Sequence, residues 1–113
     1  MSDFINDEPV KVEINGKEYL LKELTGIEYD NGTTEYISVF DDGTYKMDMA
    51  KKNTYFLKKC VVDAPYDLNG TPFKNLSEEQ RFELLNKLKP SIRDAILKEI
   101  GNLHSLKGDV TKN

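Results

Sequence analysis

The chain has 113 residues, 38% of them hydrophobic and 32% charged, with a formal net charge of −4 and a pI near 5.0. That length accommodates one domain with a small core, and the acidic balance argues against nucleic acid as a partner, because phosphate backbones require a basic face. A single cysteine excludes an intramolecular disulfide and fits a reducing cytoplasm, and no apolar run approaches the ~20 residues that span a bilayer, so no membrane association is expected.

Residues 1 to 8, MSDFINDE, lack the basic start and apolar core of a signal peptide and read as a mobile polar tail. Residues 10 to 24, VKVEINGKEYLLKEL, alternate apolar and polar positions on both sides of Asn15-Gly16. This pattern predicts a β-hairpin, since a type I′ turn requires positive φ at both central residues. One face of that hairpin is apolar and needs cover from the rest of the chain. Residues 25 to 46 admit two readings. EYISVF and TYKMD around Asp41-Asp42-Gly43 form a second hairpin, or Thr33 or Thr34 caps a short helix carrying Tyr36, Ile37 and Phe40. The helix is the preferred reading.

Residues 46 to 62 show helical spacing, with Asp48 as cap and Met49, Asn53, Phe56 and Cys60 on one stripe. The helix is expected to stop ahead of Asp63-Ala64-Pro65, because a residue before proline avoids the helical region. Residues 63 to 76 form the longest irregular stretch, broken by two prolines and Asn69-Gly70 and pinned to the core by Tyr66, Leu68 and Phe73. Ser77 and Gln80 make a capping box ahead of Phe82, Leu85 and Leu88, predicting a helix over 77–89. After Pro90, Ser91 and Asp94 offer a second cap, and Ile92, Ile96, Ile100 and Leu103 predict a helix over 91–104 packed against the previous one. The tail 106–113 is polar and patternless. The fold class is therefore α+β: a short N-terminal β-hairpin followed by a mainly helical domain of three to four helices, one domain over 9–105.

Few residues carry catalytic chemistry. A nucleophilic cysteine needs a lowered pKa and a base in reach, yet Cys60 falls on the apolar stripe near a helix C-terminus, where the dipole disfavours a thiolate. It reads as core. His104 falls at the end of the last helix, where a histidine complements the dipole. One His and one Cys do not supply the four ligands of a structural zinc site. Asp41, Asp42 and Asp48 do not follow a calcium-loop pattern, and the seven glycines are isolated, so none cradles a phosphate. No catalytic residue, metal or cofactor is expected. A third reading, an enzyme using Cys60 and His104, requires a solvent-accessible Cys60.

Four blocks carry a resemblance: VEINGKEYLLKELTG (Val12–Gly26), LKKCVVDAP (Leu57–Pro65), LNGTPF (Leu68–Phe73) and LSEEQRFELLNKLKPSI (Leu76–Ile92). In this order they resemble the tail assembly chaperones of long-tailed bacteriophages, prophages and related tail-like particles. The resemblance implies a non-enzymatic protein that binds the long helical tape measure protein, keeps it soluble and recruits tail tube subunits. It further implies self-association into a ring or spiral, residence in the cytoplasm of the bacterial host and absence from the mature virion. An amphipathic helical domain suits this role, because a groove takes up a client helix and net negative charge keeps the complex soluble. The expected contacts are aromatic residues least needed by the core: Tyr36, Phe40, Tyr55, Phe56 and Tyr66. The alternative reading is a structural head–tail connector or tail completion protein that stays in the particle.

Overall fold

The computed structural model describes residues 8–34 and 37–105. The expected tails (1–8, of which only Glu8 is described, and 106–113) and Tyr36 lie outside the described residues. The architecture is α+β, with an N-terminal hairpin and four helices.

Strands β1 (Val10–Ile14) and β2 (Lys17–Leu21) pair antiparallel, with Val12 opposite Tyr19. Asn15 at φ 54° and Gly16 at φ 77° make the left-handed turn that the Asn-Gly pair predicts. Ile14, Tyr19 and Leu21 are buried on the face turned to the core, while Lys11, Glu13 and Glu18 stay in solvent. The cover comes from the helices, as the apolar face requires.

Helix α1 (Gly26–Thr34) starts from a reciprocal cap. The Thr25 N–H donates to Glu28 Oε1 at 3.0 Å, and the Glu28 N–H donates to Thr25 Oγ1 at 3.2 Å. Strands β3 (Ile37–Val39) and β4 (Tyr45–Met47) follow as a hairpin closed around Asp41-Asp42-Gly43. The preferred reading of 25–46 is thereby corrected: the helix lies earlier, and Ile37 to Val39 are strand. The physical reason is local. The Thr25–Glu28 cap nucleates upstream, Gly43 takes the turn at φ 90°, and the β-branched Ile37 and Val39 favour the paired strand.

Helix α2 (Met49–Cys60) begins at Asp48, whose side chain accepts the Lys51 N–H at 3.1 Å. The expected end at residue 62 is corrected, because Val61 turns extended and strand β5 (Val61–Asp63) runs directly out of the helix. Pairing explains the switch. β5 lies antiparallel to β2, giving the sheet order β1-β2-β5, and the Lys22 N–H donates to the Cys60 carbonyl at 2.9 Å. The two valines suit a pleated strand better than a last helical turn.

Short strands β6 (Asp67–Leu68) and β7 (Thr71–Pro72) flank Asn69 (φ 52°) and Gly70 (φ 89°), repeating the first hairpin's turn within the stretch expected to be irregular. Phe73 opens a 3-10 turn through Asn75 and is fully buried. Helix α3 (Glu78–Leu85) has the predicted capping box, Ser77 with Gln80, with both hydrogen bonds formed. It ends four residues before the expected limit. The chain then tightens into i→i−3 bonds, Lys87 N–H to Leu84 O and Leu88 N–H to Leu85 O.

Helix α4 (Pro90–Leu103) starts on the proline itself, with Lys89 as an N-cap that makes no side-chain cap bond. The expected Ser91 cap is corrected. Pro90 already has helical φ and needs no N–H partner at the first position, so Ser91 lies inside the helix. Both α3 and α4 pack chiefly on α2, not on each other, which corrects the expected pair. One core joins Tyr19 and Leu21 of the sheet to Leu57 and Cys60 of α2, Leu85 of α3 and Ile96 of α4. Among the described residues no helix is long and apolar enough to cross a membrane.

Candidate interaction surface

Cys60 lies on the inward stripe of α2, as its spacing predicts, with 0% of its surface exposed. Burial pushes its thiol up from 9.0 to about 12, and nearby Lys22 offsets only part of that. A thiol so placed is neither accessible nor ionised, which removes the basis of a cysteine nucleophile.

His104 caps the C-terminus of α4. Its Nε2 accepts the Leu24 N–H at 2.9 Å, which places the ring proton on Nδ1, and Nδ1–H donates to the Ile100 carbonyl at 2.8 Å. Both nitrogens are thus engaged by backbone, and the ring lies against Tyr29 and Phe56 with centroids 5.2 and 6.1 Å away. The residue is a tie between α4 and the segment that leads into α1. No group of three or more His, Cys, Asp or Glu is placed to hold a metal among the described residues.

The five expected contact residues separate. Phe40 is exposed, at the tip of the β3–β4 hairpin. Phe56 is a correction: only 6% of it is exposed, because it shares the buried stripe of α2 with Cys60. Tyr55 and Tyr66 are half-buried and anchored, Tyr55 donating from its hydroxyl to the Glu28 carbonyl at 2.9 Å and Tyr66 sharing a hydrogen bond with Tyr19. Tyr36 is outside the described residues.

Sequence reasoning missed the neighbours of Phe40. The large apolar side chains exposed among the described residues are Ile27 (76%), Tyr29 (38%), Phe40 (51%), Tyr45 (70%) and Met49 (53%). They lie on consecutive elements, from α1 through the β3–β4 hairpin to the first residue of α2. The hairpin tip is held in shape by Asp42, whose carboxylate accepts both the backbone N–H and the hydroxyl of Thr44 at 3.0 and 2.7 Å. These bonds, the hydroxyl first, hold Asp42 below the usual carboxylate range.

Two depressions adjoin this region. A cleft of about 140 Å³ opens between α1, α2 and α4, with Tyr29, Phe56, Leu97 and Ile100 as its apolar walls. A broader groove of about 560 Å³ runs along Lys51, Thr54, Tyr55 and Lys58 of α2 toward Glu78 of α3. At its far end Lys58 pairs with Glu79 at 3.0 Å and Lys59 with Glu78 at 3.2 Å, and the Glu78 bond raises the Lys59 ammonium above its ordinary value. Tyr29 is both one of the exposed side chains and a wall of the smaller cleft, so apolar contact is offered there, while charged residues line the broader groove. Comparison with known proteins finds no matching family model, no matching curated protein and no matching solved structure.

Proposed function

We propose that this chain is a phage tail assembly chaperone, a non-enzymatic protein that binds the tape measure protein and recruits tail tube subunits during tail assembly. The observation that carries the reading is the concentration of exposed large apolar side chains between Ile27 and Met49, while the described residues from 50 onward leave none exposed. Large apolar side chains exposed on consecutive elements suit an interaction surface, and a client with long apolar helices is the chemistry that fits it. The four sequence blocks that resemble these chaperones frame that region: the first ends on α1 and the second lies on α2 and β5. On this reading the protein works in the cytoplasm of the bacterial host, self-associates along its client as a ring or spiral, and leaves before the virion matures.

The test is a tagged pull-down from host cells during phage or prophage induction, read by mass spectrometry and paired with the composition of purified particles. The expected result is a very long helical protein together with the tube subunit, and absence of this chain from the particles. Recovery of portal or capsid proteins, with this chain retained in the particle, would replace the reading by a head–tail connector or tail completion protein.

A further inference from the structure

A second cleft, of about 300 Å³, lies away from the apolar surface, where the β1–β2 turn meets the α3–α4 linker. Its rim carries Lys17 from the turn and Lys87 and Lys89 from the linker, and no carboxylate lines it. In a chain of net charge −4 this is unusual company. The nearest acid in sequence, Glu18, points to the opposite face by strand alternation and pairs with Lys11 at 3.8 Å. Among the described residues neither Lys87 nor Lys89 has a carboxylate within ion-pair distance, whereas Lys58 and Lys59 in the other groove are both neutralised by α3. The Lys17 ammonium stands 5.6 Å from the centre of the Tyr66 ring, over the cleft wall.

The wall itself supplies the second observation. The hydroxyls of Tyr19 and Tyr66 bond to each other, an arrangement that uses one hydroxyl proton of two. Neither hydroxyl has another protein partner among the described residues, so one of the two O–H donors remains available to a ligand in the cleft. Burial first, and the Tyr66 bond second, hold the Tyr19 phenol above its ordinary value. Lys89 is also the N-cap of α4, which brings the positive end of a fourteen-residue helix to the same rim. Three ammonium groups, an uncommitted hydroxyl donor and a helix N-terminus all call for a ligand that only accepts hydrogen bonds and carries more than one negative charge. Lysines, as point charges without a planar fork, suit phosphate oxygens.

The geometry points to a binding site for the phosphate or diphosphate group of a small soluble compound, formed by Lys17, Lys87, Lys89 and the Tyr19–Tyr66 hydroxyl pair. This site is independent of the chaperone reading and of the apolar surface.

The test is titration of the full chain with pyrophosphate at low salt, followed by calorimetry and by the NMR ring signals of Tyr19 and Tyr66. The expected result is one saturable site that shifts both tyrosines and weakens as salt rises. The exposed double substitution Lys87→Gln/Lys89→Gln weakens binding by about tenfold or more, as expected for loss of charge-assisted contacts, and Lys98→Gln, on the outer face of α4, leaves it unchanged. Absence of saturable binding, equal affinity in the double variant, or unmoved tyrosine signals would each overturn the assignment. Binding of a short oligonucleotide without binding of pyrophosphate would overturn it in favour of a polynucleotide backbone.

Discussion

Burial on the inward face of α2 keeps the Cys60 thiol neutral, and this has two measurable consequences. A thiol reagent is expected to leave the native protein unlabelled and to react once denaturant unfolds it; rapid labelling of the native state would reopen the cysteine chemistry. The second consequence concerns pH. The folded value, about 12, lies above the ordinary 9.0, so the fold favours the protonated thiol. Its contribution to stability is present below pH 9 and fades as pH rises toward 12. Denaturant melts of the wild type and Cys60→Ala should therefore show a gap at pH 8 that narrows across that window. The role of Cys60 was legible in the sequence, since its place on the stripe announced burial. So were Asp48 and Ser77, whose capping geometry depends on residues three positions apart. Thr25-Gly-Ile-Glu28 carries the same signature, but no apolar run follows it, so the box alone is a weak signal for α1. Among the aromatics, the exposure of Phe40 was legible and the burial of Phe56 was not, because the half-buried Tyr55 and the buried Phe56 are neighbours on one helix and differ only in which face they occupy.

At the scale of elements, the errors came where two local preferences compete. Val61 and Val62 continue an acceptable helical period, and only the pairing of Val61 with Leu21 and of Asp63 with Leu20, about forty residues earlier, draws this stretch into β5. Residues 37–47 likewise depend on a cross-strand register that no single window displays. The capped elements offer direct tests. Ser77→Ala should lower stability by about 1 kcal/mol, the usual cost of losing an N-cap, measured by denaturant melts. Gly32 is a tighter constraint. A Cβ there would sit 2.6 Å from the Tyr55 ring, so α1 approaches α2 this closely only because the residue is glycine. Gly32→Ala should displace α1, disrupt the Tyr55–Glu28 hydrogen bond and cost about 1–3 kcal/mol, as overpacking does. Limited proteolysis should then cut first within α1, while the sheet stays protected; wild-type cutting kinetics would show that the contact carries no such weight.

For the molecule as a whole, α2 is the hub. It contacts α1, α3 and α4 and passes without a loop into the sheet, while the exposed apolar side chains collect at its beginning and on the elements just before it. This division of labour predicts separable variants. Phe40→Ser/Tyr45→Ser should leave the melting temperature nearly unchanged, since both side chains face solvent; on the proposed chaperone function the same variant should fail to keep a co-expressed tape measure protein in the soluble fraction. Equal solubilisation by the variant would remove the hairpin from the client surface. The tie made by His104 has a different reach. Its imidazole nitrogen accepts the amide of a residue 80 positions earlier, which closes the described fold nearly end to end. During synthesis the hairpin leaves the ribosome early, with its apolar face uncovered and the Leu24 amide waiting for an acceptor that is among the last described residues to be made. The Leu24 amide therefore gains its acceptor only once residues 80 positions later are in place, and the final turn of α4 acts as the clasp that closes the described fold.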